Sequence, residues 1–187
     1  MLQHLDELRD IQKKYNLNPD DIIVVGSGSI TEIGGRLNSD IEFCVKKQAK
    51  CKIPLRIRMI LLFIDHYDLS DNVDLFANRY LSLGVYDSDL EKNNCYHTLR
   101  NTEFFIVNPE YELGYKQKRM WPKDVLDLKN IEDSPEIKEK IDYRQVALLI
   151  EKKGRFVDRF YYCFKKKMWN YYSLGSRAFR KIKKISA

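Results

Sequence analysis

The stretch that most constrains this chain is a run of β-branched residues that stops abruptly at a glycine. Asp21-Ile22-Ile23-Val24-Val25 leads straight into Gly26-Ser27-Gly28-Ser29. Val and Ile pack well on a pleated surface, so this run predicts a short buried strand that ends where glycine lets the backbone turn. A second strand is expected at Ile41-Glu42-Phe43-Cys44-Val45, which alternates and begins twelve residues after Ser29. Residues i and i+2 of a strand share a face, so Asp40 and Glu42 project side by side while Ile41 points to the core. Adjacent carboxylates repel each other unless a cation lies between them. An oxygen-only ligand pair of this kind suits Mg²⁺ (or Mn²⁺), which keeps several waters and takes one or two carboxylates plus substrate phosphates. A third acid, Asp74, stands in Val73-Asp74-Leu75 with apolar neighbours on both sides, again the pattern of a strand presenting one carboxylate. Asp65, Asp68 and Asp71 lie close by, but only Asp74 is flanked by Val and Leu. Three carboxylates converging from two strands would hold two metal ions for an in-line displacement at phosphorus.

The glycine-serine turn complements the acids. Glycine allows backbone N–H groups close to a phosphate, a serine hydroxyl adds a donor, and a helix starting just after would direct its positive end there. An anion cradle beside a cation cage is what gripping a nucleoside triphosphate such as ATP requires. The plain alternative is a solvated strand face next to an ordinary turn.

Val25-Gly26-Ser27 followed by Ser39-Asp40-Ile41-Glu42-Phe43 resembles the signature of the polymerase-beta-like nucleotidyltransferases, here a small, minimal-type member. That signature is a hydrophobic residue, Gly, then Ser or Gly, a spacer of about ten residues, and Asp-x-Asp/Glu between hydrophobics. The resemblance runs from Asp21 to Phe76. It implies that Asp40, Glu42 and Asp74 are catalytic and bind the metals, with Asp74 also helping to activate the acceptor hydroxyl. It also implies that Gly26 and Ser27 hold the triphosphate. Gly28-Ser29 has the commoner spacer, ten residues against twelve for Gly26-Ser27, but only Gly26-Ser27 follows a hydrophobic residue. Gly26-Ser27 is therefore preferred, with Gly28 and Ser29 kept as cradle residues. Glu42 stands where the family more often has Asp, which moves the ligand out by a methylene.

The implied fold is α+β, a nucleotidyltransferase-type mixed sheet flanked by helices with a helical C-terminal region. The core is assigned to residues 1–120 and the helical region to 121–187. Leu2, Leu5, Leu8, Ile11 and Tyr15 predict an amphipathic first helix. Ile53 to Tyr67 reads as a helix, with a strand as the alternative, Tyr80 to Tyr86 and Thr102 to Val107 as strands, Asn108-Pro109 as a turn, and Trp121-Pro122 to Pro135 as a connector. From Glu136 onward the chain reads as helical, in two segments that meet near Lys153-Gly154. His66 and His97 show no partner in the sequence, and Lys116, Lys118 and Arg119 read as a basic cluster on a solvated loop or near the phosphates.

Charge is uneven. The net is +6, yet Lys152 to Lys184 alone holds 12 basic residues and one acid, so the rest is mildly acidic. Phe156, Phe160, Phe164, Met168 and Tyr172 recur every four residues among these lysines and arginines, a helical stripe. Three roles stay open for it: packing on the core or on a second subunit of a homodimer, lying on an anionic membrane surface, or contacting nucleic acid. Four dispersed cysteines without CxxC spacing read as reduced thiols rather than a zinc site. The acidic N-terminus has no signal-peptide character and no apolar run reaches 18 residues, so a cytoplasmic protein, with peripheral membrane attachment left open, is expected.

The expected reaction is transfer of a nucleoside monophosphate from a triphosphate to a hydroxyl or phosphate acceptor, with release of pyrophosphate. The acceptor, whether small molecule, glycan precursor, protein or RNA, is not encoded in any motif. The competing expectation is a catalytically silent module of the same fold that binds a toxin, a nucleic acid or a membrane surface.

Overall fold

The computed structural model describes residues 2–35, 39–64 and 66–151, with positions 163, 164 and 167. The basic aromatic stripe thus falls almost wholly outside the described residues. The architecture is α+β: a mixed six-stranded sheet flanked by helices, in the order β3-β4-β2-β1-β6-β5. Its central strands are the ones the sequence marks most strongly. Strand β1 (Ile22–Val25) is buried along its whole length and pairs antiparallel with β2 (Ile41–Val45) and parallel with β6 (Phe105–Val107). Strand β2 pairs parallel with β4 (Val73–Phe76). The edges are β3 (His66–Asp68) beside β4 and β5 (Tyr96–Thr98) beside β6, both antiparallel.

Alternation sorts each strand between two cores. Ile22, Val24, Ile41, Phe43, Val73 and Leu75 face one side, covered by Leu8 and Ile11 of α1 (Leu5–Lys14) and by Ile57 and Leu61 of α3 (Leu55–Phe63). The expected stripe on the first helix is present: Leu2, Leu8 and Ile11 are buried, with Leu5 and Tyr15 packed against them. Ile23, Val25, Cys44 and Phe76 face the other side, against Tyr111 and Tyr115 of α5 (Pro109–Arg119) and Leu149 of α8 (Tyr143–Glu151). Each such fully buried aliphatic or aromatic side chain contributes about 1.5–3 kcal/mol.

Five expectations need correcting. Ile53 to Tyr67 is not one helix: α3 ends at Phe63, Ile64 is extended, and His66 opens an edge strand. Tyr80 to Tyr86 is not a strand but contains a 3₁₀ turn at Leu81–Leu83, followed by α4 (Asp87–Lys92). Pro109 does not close a turn; it starts α5, because proline suits a first helical position, where no N–H partner is needed. Pro122 does the same for α6 (Pro122–Glu132), whose start is fixed by the Trp121 N–H donating to Asp124 Oδ2 at 3.0 Å. A short α7 (Pro135–Lys138) precedes α8 (Tyr143–Glu151), so the segment expected to be helical from Glu136 is broken at 139–142, and the expected junction near Lys153-Gly154 lies outside the described residues. None of the four cysteines forms a disulfide. Among the described residues no helix is long and apolar enough to cross a membrane.

Candidate active site

The pairing register brings the acids together. Val25, the last residue of β1, pairs with Glu42; Glu42 pairs with Asp74; and Asp74 pairs with Asp68. One row across three strands therefore carries three carboxylates on the face that α5 covers. Asp40 precedes this row at the start of β2, partly exposed, and accepts a hydrogen bond from the Ser39 hydroxyl at 3.2 Å.

The turn after β1 sits against this row. Gly26 has φ +74° and ψ −153°, a region in which only glycine rests without strain. A Cβ there would run into the Glu42 carboxylate. Glycine is thus needed twice at one position, for conformation and for space. Its N–H donates to the Tyr80 hydroxyl at 3.2 Å. The chain then enters α2 (Ser27–Glu32). Ser27 is only partly buried. Ser29 is wholly buried and its hydroxyl donates to the Gly26 carbonyl at 2.9 Å, while Gly28 lies tight against Leu2 and Val24. Of the four turn residues singled out in the sequence, Gly26 borders the Glu42 carboxylate, Ser27 opens α2, and Gly28 and Ser29 build the turn from inside.

A residue that the sequence did not single out governs Glu42. Arg79 is buried, its guanidinium lying over the rings of Phe76 (4.7 Å) and Tyr115 (5.2 Å). Its Nη1 is 2.9 Å from Glu42 Oε1, and its Nε and Nη2 make a fork on Glu112, both at 3.1 Å. Burial pushes the Glu42 carboxyl above its usual range; Arg79 pulls it down, and Glu112 and Asp40 push it up again. Burial also pushes the Asp74 carboxyl up, to about 7, helped by Asp68 and resisted by His66.

The one group of metal-ligating side chains gathered among the described residues is not the set expected. It is His66, Asp68 and Asp74, whose donor atoms all lie within 4.8 Å of one another. His66 and Asp68 alternate onto the same face of β3, and His66 is stacked on Phe76 with ring centroids 4.9 Å apart. The donor chemistry of the row together with Asp40 and His66, four carboxylates and an imidazole, fits a divalent cation. Glu42 would meet it with one oxygen already held by Arg79.

Other expectations resolve elsewhere. His97 does have a partner: its Nε2 is 2.8 Å from Glu32 Oε2, and that hydrogen bond holds the imidazole above its ordinary range. Lys116 and Arg119 lie on α5, not on a solvated loop. Lys116 is buried against Asp127 at 2.8 Å, with Glu112 and Asp124 also in reach, and Arg119 forks onto Asp124 at 2.6 and 2.7 Å. A groove of about 370 Å³ between α3 and β4 is mostly apolar and is lined by none of the row's carboxylates.

No family model matches this chain, and neither the curated proteins nor the solved structures give a significant match.

Proposed function

We propose that the chain is a metal-dependent nucleotidyltransferase that moves a nucleoside monophosphate from a triphosphate to an acceptor. The observation that carries this reading is the juxtaposition at one sheet end of the Gly26 turn and the Glu42–Asp74–Asp68 row, with Asp40 beside it. Backbone approach at Gly26 and the Ser27 hydroxyl suit phosphate oxygens; Asp40, Asp74 and one oxygen of Glu42 suit the accompanying Mg²⁺ or Mn²⁺. When bound, that dication neutralises phosphate charge and aligns the attack. The chain's own residues supply the rest. Arg79 fixes the Glu42 side chain. Asp74 takes the proton of the acceptor hydroxyl. The acceptor oxygen forms a bond to the α-phosphorus as the bond to the bridging oxygen breaks, and pyrophosphate leaves with that electron pair.

The test is thermal stability against each of the four ribonucleoside triphosphates, with and without Mg²⁺ or Mn²⁺. A ligand at 100 times its Kd stabilises by about 2.7 kcal/mol. The reading expects a metal-dependent shift with one nucleotide that Asp40→Asn abolishes. Absence of any shift favours the silent binding module of the same fold. The Arg79–Glu42 pair is the observation on that side, since it already neutralises one of the acids internally.

A further inference from the structure

We propose that His66, Asp68 and Asp74 form a binding site for a transition-metal dication, one strand outward from the Asp40–Glu42 pair. The site follows from register. β3 runs antiparallel to β4 with Asp68 opposite Asp74 and His66 opposite Phe76. Alternation then sets His66 and Asp68 on the face that carries Asp74. The three donor atoms lie within 4.8 Å of one another, and His66 Nε2 is 3.8 Å from Asp68 Oδ1. Neighbouring donors around a dication bound at about 2.1 Å sit about 3–3.5 Å apart, so small side-chain rotations complete the coordination. The imidazole is held for this: its ring lies nearly parallel to Phe76, at 14°.

Two features choose this place over the neighbouring one. Arg79 draws Glu42 toward α5, so the inner pair already has a cation on one of its oxygens. Asp74 stands between two other carboxylates in the row and has only the His66 side to complete a mixed nitrogen–oxygen set. The ligand chemistry then selects the ion. Mg²⁺ prefers oxygen, whereas imidazole suits the later first-row metals, with affinity rising from Mn²⁺ through Co²⁺ to a maximum at Cu²⁺ and falling back at Zn²⁺. The site therefore takes Mn²⁺, Co²⁺ or Zn²⁺ in preference to Mg²⁺. This deepens the nucleotidyl-transfer reading and rests on it only for what the ion does in catalysis; the binding itself does not need it.

The experiment uses the full chain, stripped of metal, titrated separately with Mn²⁺ and Mg²⁺ and read by equilibrium dialysis and by the spin-resonance signal of free Mn²⁺. The expected result is one Mn²⁺ per chain, with Mg²⁺ bound more weakly. His66→Phe keeps an aromatic ring on Phe76 but removes the nitrogen, and should weaken Mn²⁺ by at least about tenfold. Asp68→Asn should do the same, and circular dichroism checks that both fold; should His66→Phe not fold, His66→Gln takes its place. The other two histidines are paired away from this face, His4 with Glu7 and His97 with Glu32, so the loss is assignable to His66. Mg²⁺ bound as tightly as Mn²⁺, no Mn²⁺ bound at all, or equal Mn²⁺ affinity in wild type and in the folded variants would each overturn the site. Nucleotide binding is read separately. Mn²⁺ held through His66 without any nucleotide effect leaves the site standing and removes the transferase reading. A nucleotide effect with Mg²⁺ in a chain whose Mn²⁺ affinity His66→Phe leaves unchanged does the reverse.

Discussion

Two groups of charged side chains meet at Arg79, and they are built on opposite rules. Under α5 and α6, three cations (Arg79, Lys116 and Arg119) interleave with Glu112, Asp124 and Asp127, and every one of them has an opposite charge within 4 Å. Along the strand row, Asp40, Glu42, Asp74 and Asp68 gather like charges with one histidine at the end. The first group is what folding tolerates in a low-dielectric interior: charges enter in balanced, hydrogen-bonded sets. In the second, carboxylates on neighbouring strands crowd together, with Arg79 answering Glu42, and burial, helped by their repulsion, pushes the Asp74 carboxyl up. Like charges gathered on paired strands are an arrangement that a ligand of the other sign completes. Composition does not distinguish the two groups; geometry does.

The contrast can be broken most severely from the balanced side. Lys116→Ala takes the 2.8 Å cation partner from buried Asp127 and leaves Asp124 with Arg119, and should cost about 3–5 kcal/mol in urea unfolding; a loss no larger than that of a surface pair would erase the distinction. Gly26→Ala strikes where the row meets the turn. Its left-handed φ and the collision with Glu42 should cost about 1–3 kcal/mol and remove any nucleotide-dependent thermal shift. Asp74→Asn tests the crowding directly. The folded carboxyl titrates near 7, against 3.8 for an ordinary aspartate, so the native state holds a proton that the unfolded chain has lost. Stability of the metal-free protein therefore falls as pH rises from about 4 to about 7 and then levels off. The asparagine variant should lack that part of the slope and melt a few degrees above wild type at pH 8, with no such gain at pH 4. The smallest effect belongs to the surface. Arg9→Ala removes exposed pairs to Asp6 and Glu103 and should change stability by less than about 1 kcal/mol.

Much of the inner site could be read in the sequence because local signals agree there. β-branched residues, a glycine stop and alternating acids mark β1, the Gly26 turn, β2 and β4 without reference to anything distant. The outer half was hidden by continuity. The apolar residues of α3 run on through Ile64, so His66-Tyr67-Asp68 reads as a helix tail unless the break after Phe63 is recognised. Its one signal was the alternation of two metal-ligating residues around Tyr67. Arg79 could not be found this way, since nothing near it in sequence says that it reaches Glu42 and Glu112, each more than thirty positions away. Lys116 and Arg119 misled for the same reason: a basic cluster in sequence looks solvated until the acids of α6 are folded over it.

The edge position of β3 has a mechanical consequence. A three-residue outer strand has few backbone hydrogen bonds and should open first among the strands. Two of the ligands proposed for the dication are on β3 and one is on β4, so the ion would act as a clasp across the last ladder of the sheet. Amide protons of that ladder would then exchange slowly with metal bound and quickly without it, while those of β1 would keep one rate throughout. The rim of the sheet would report on the cation while its centre stayed silent.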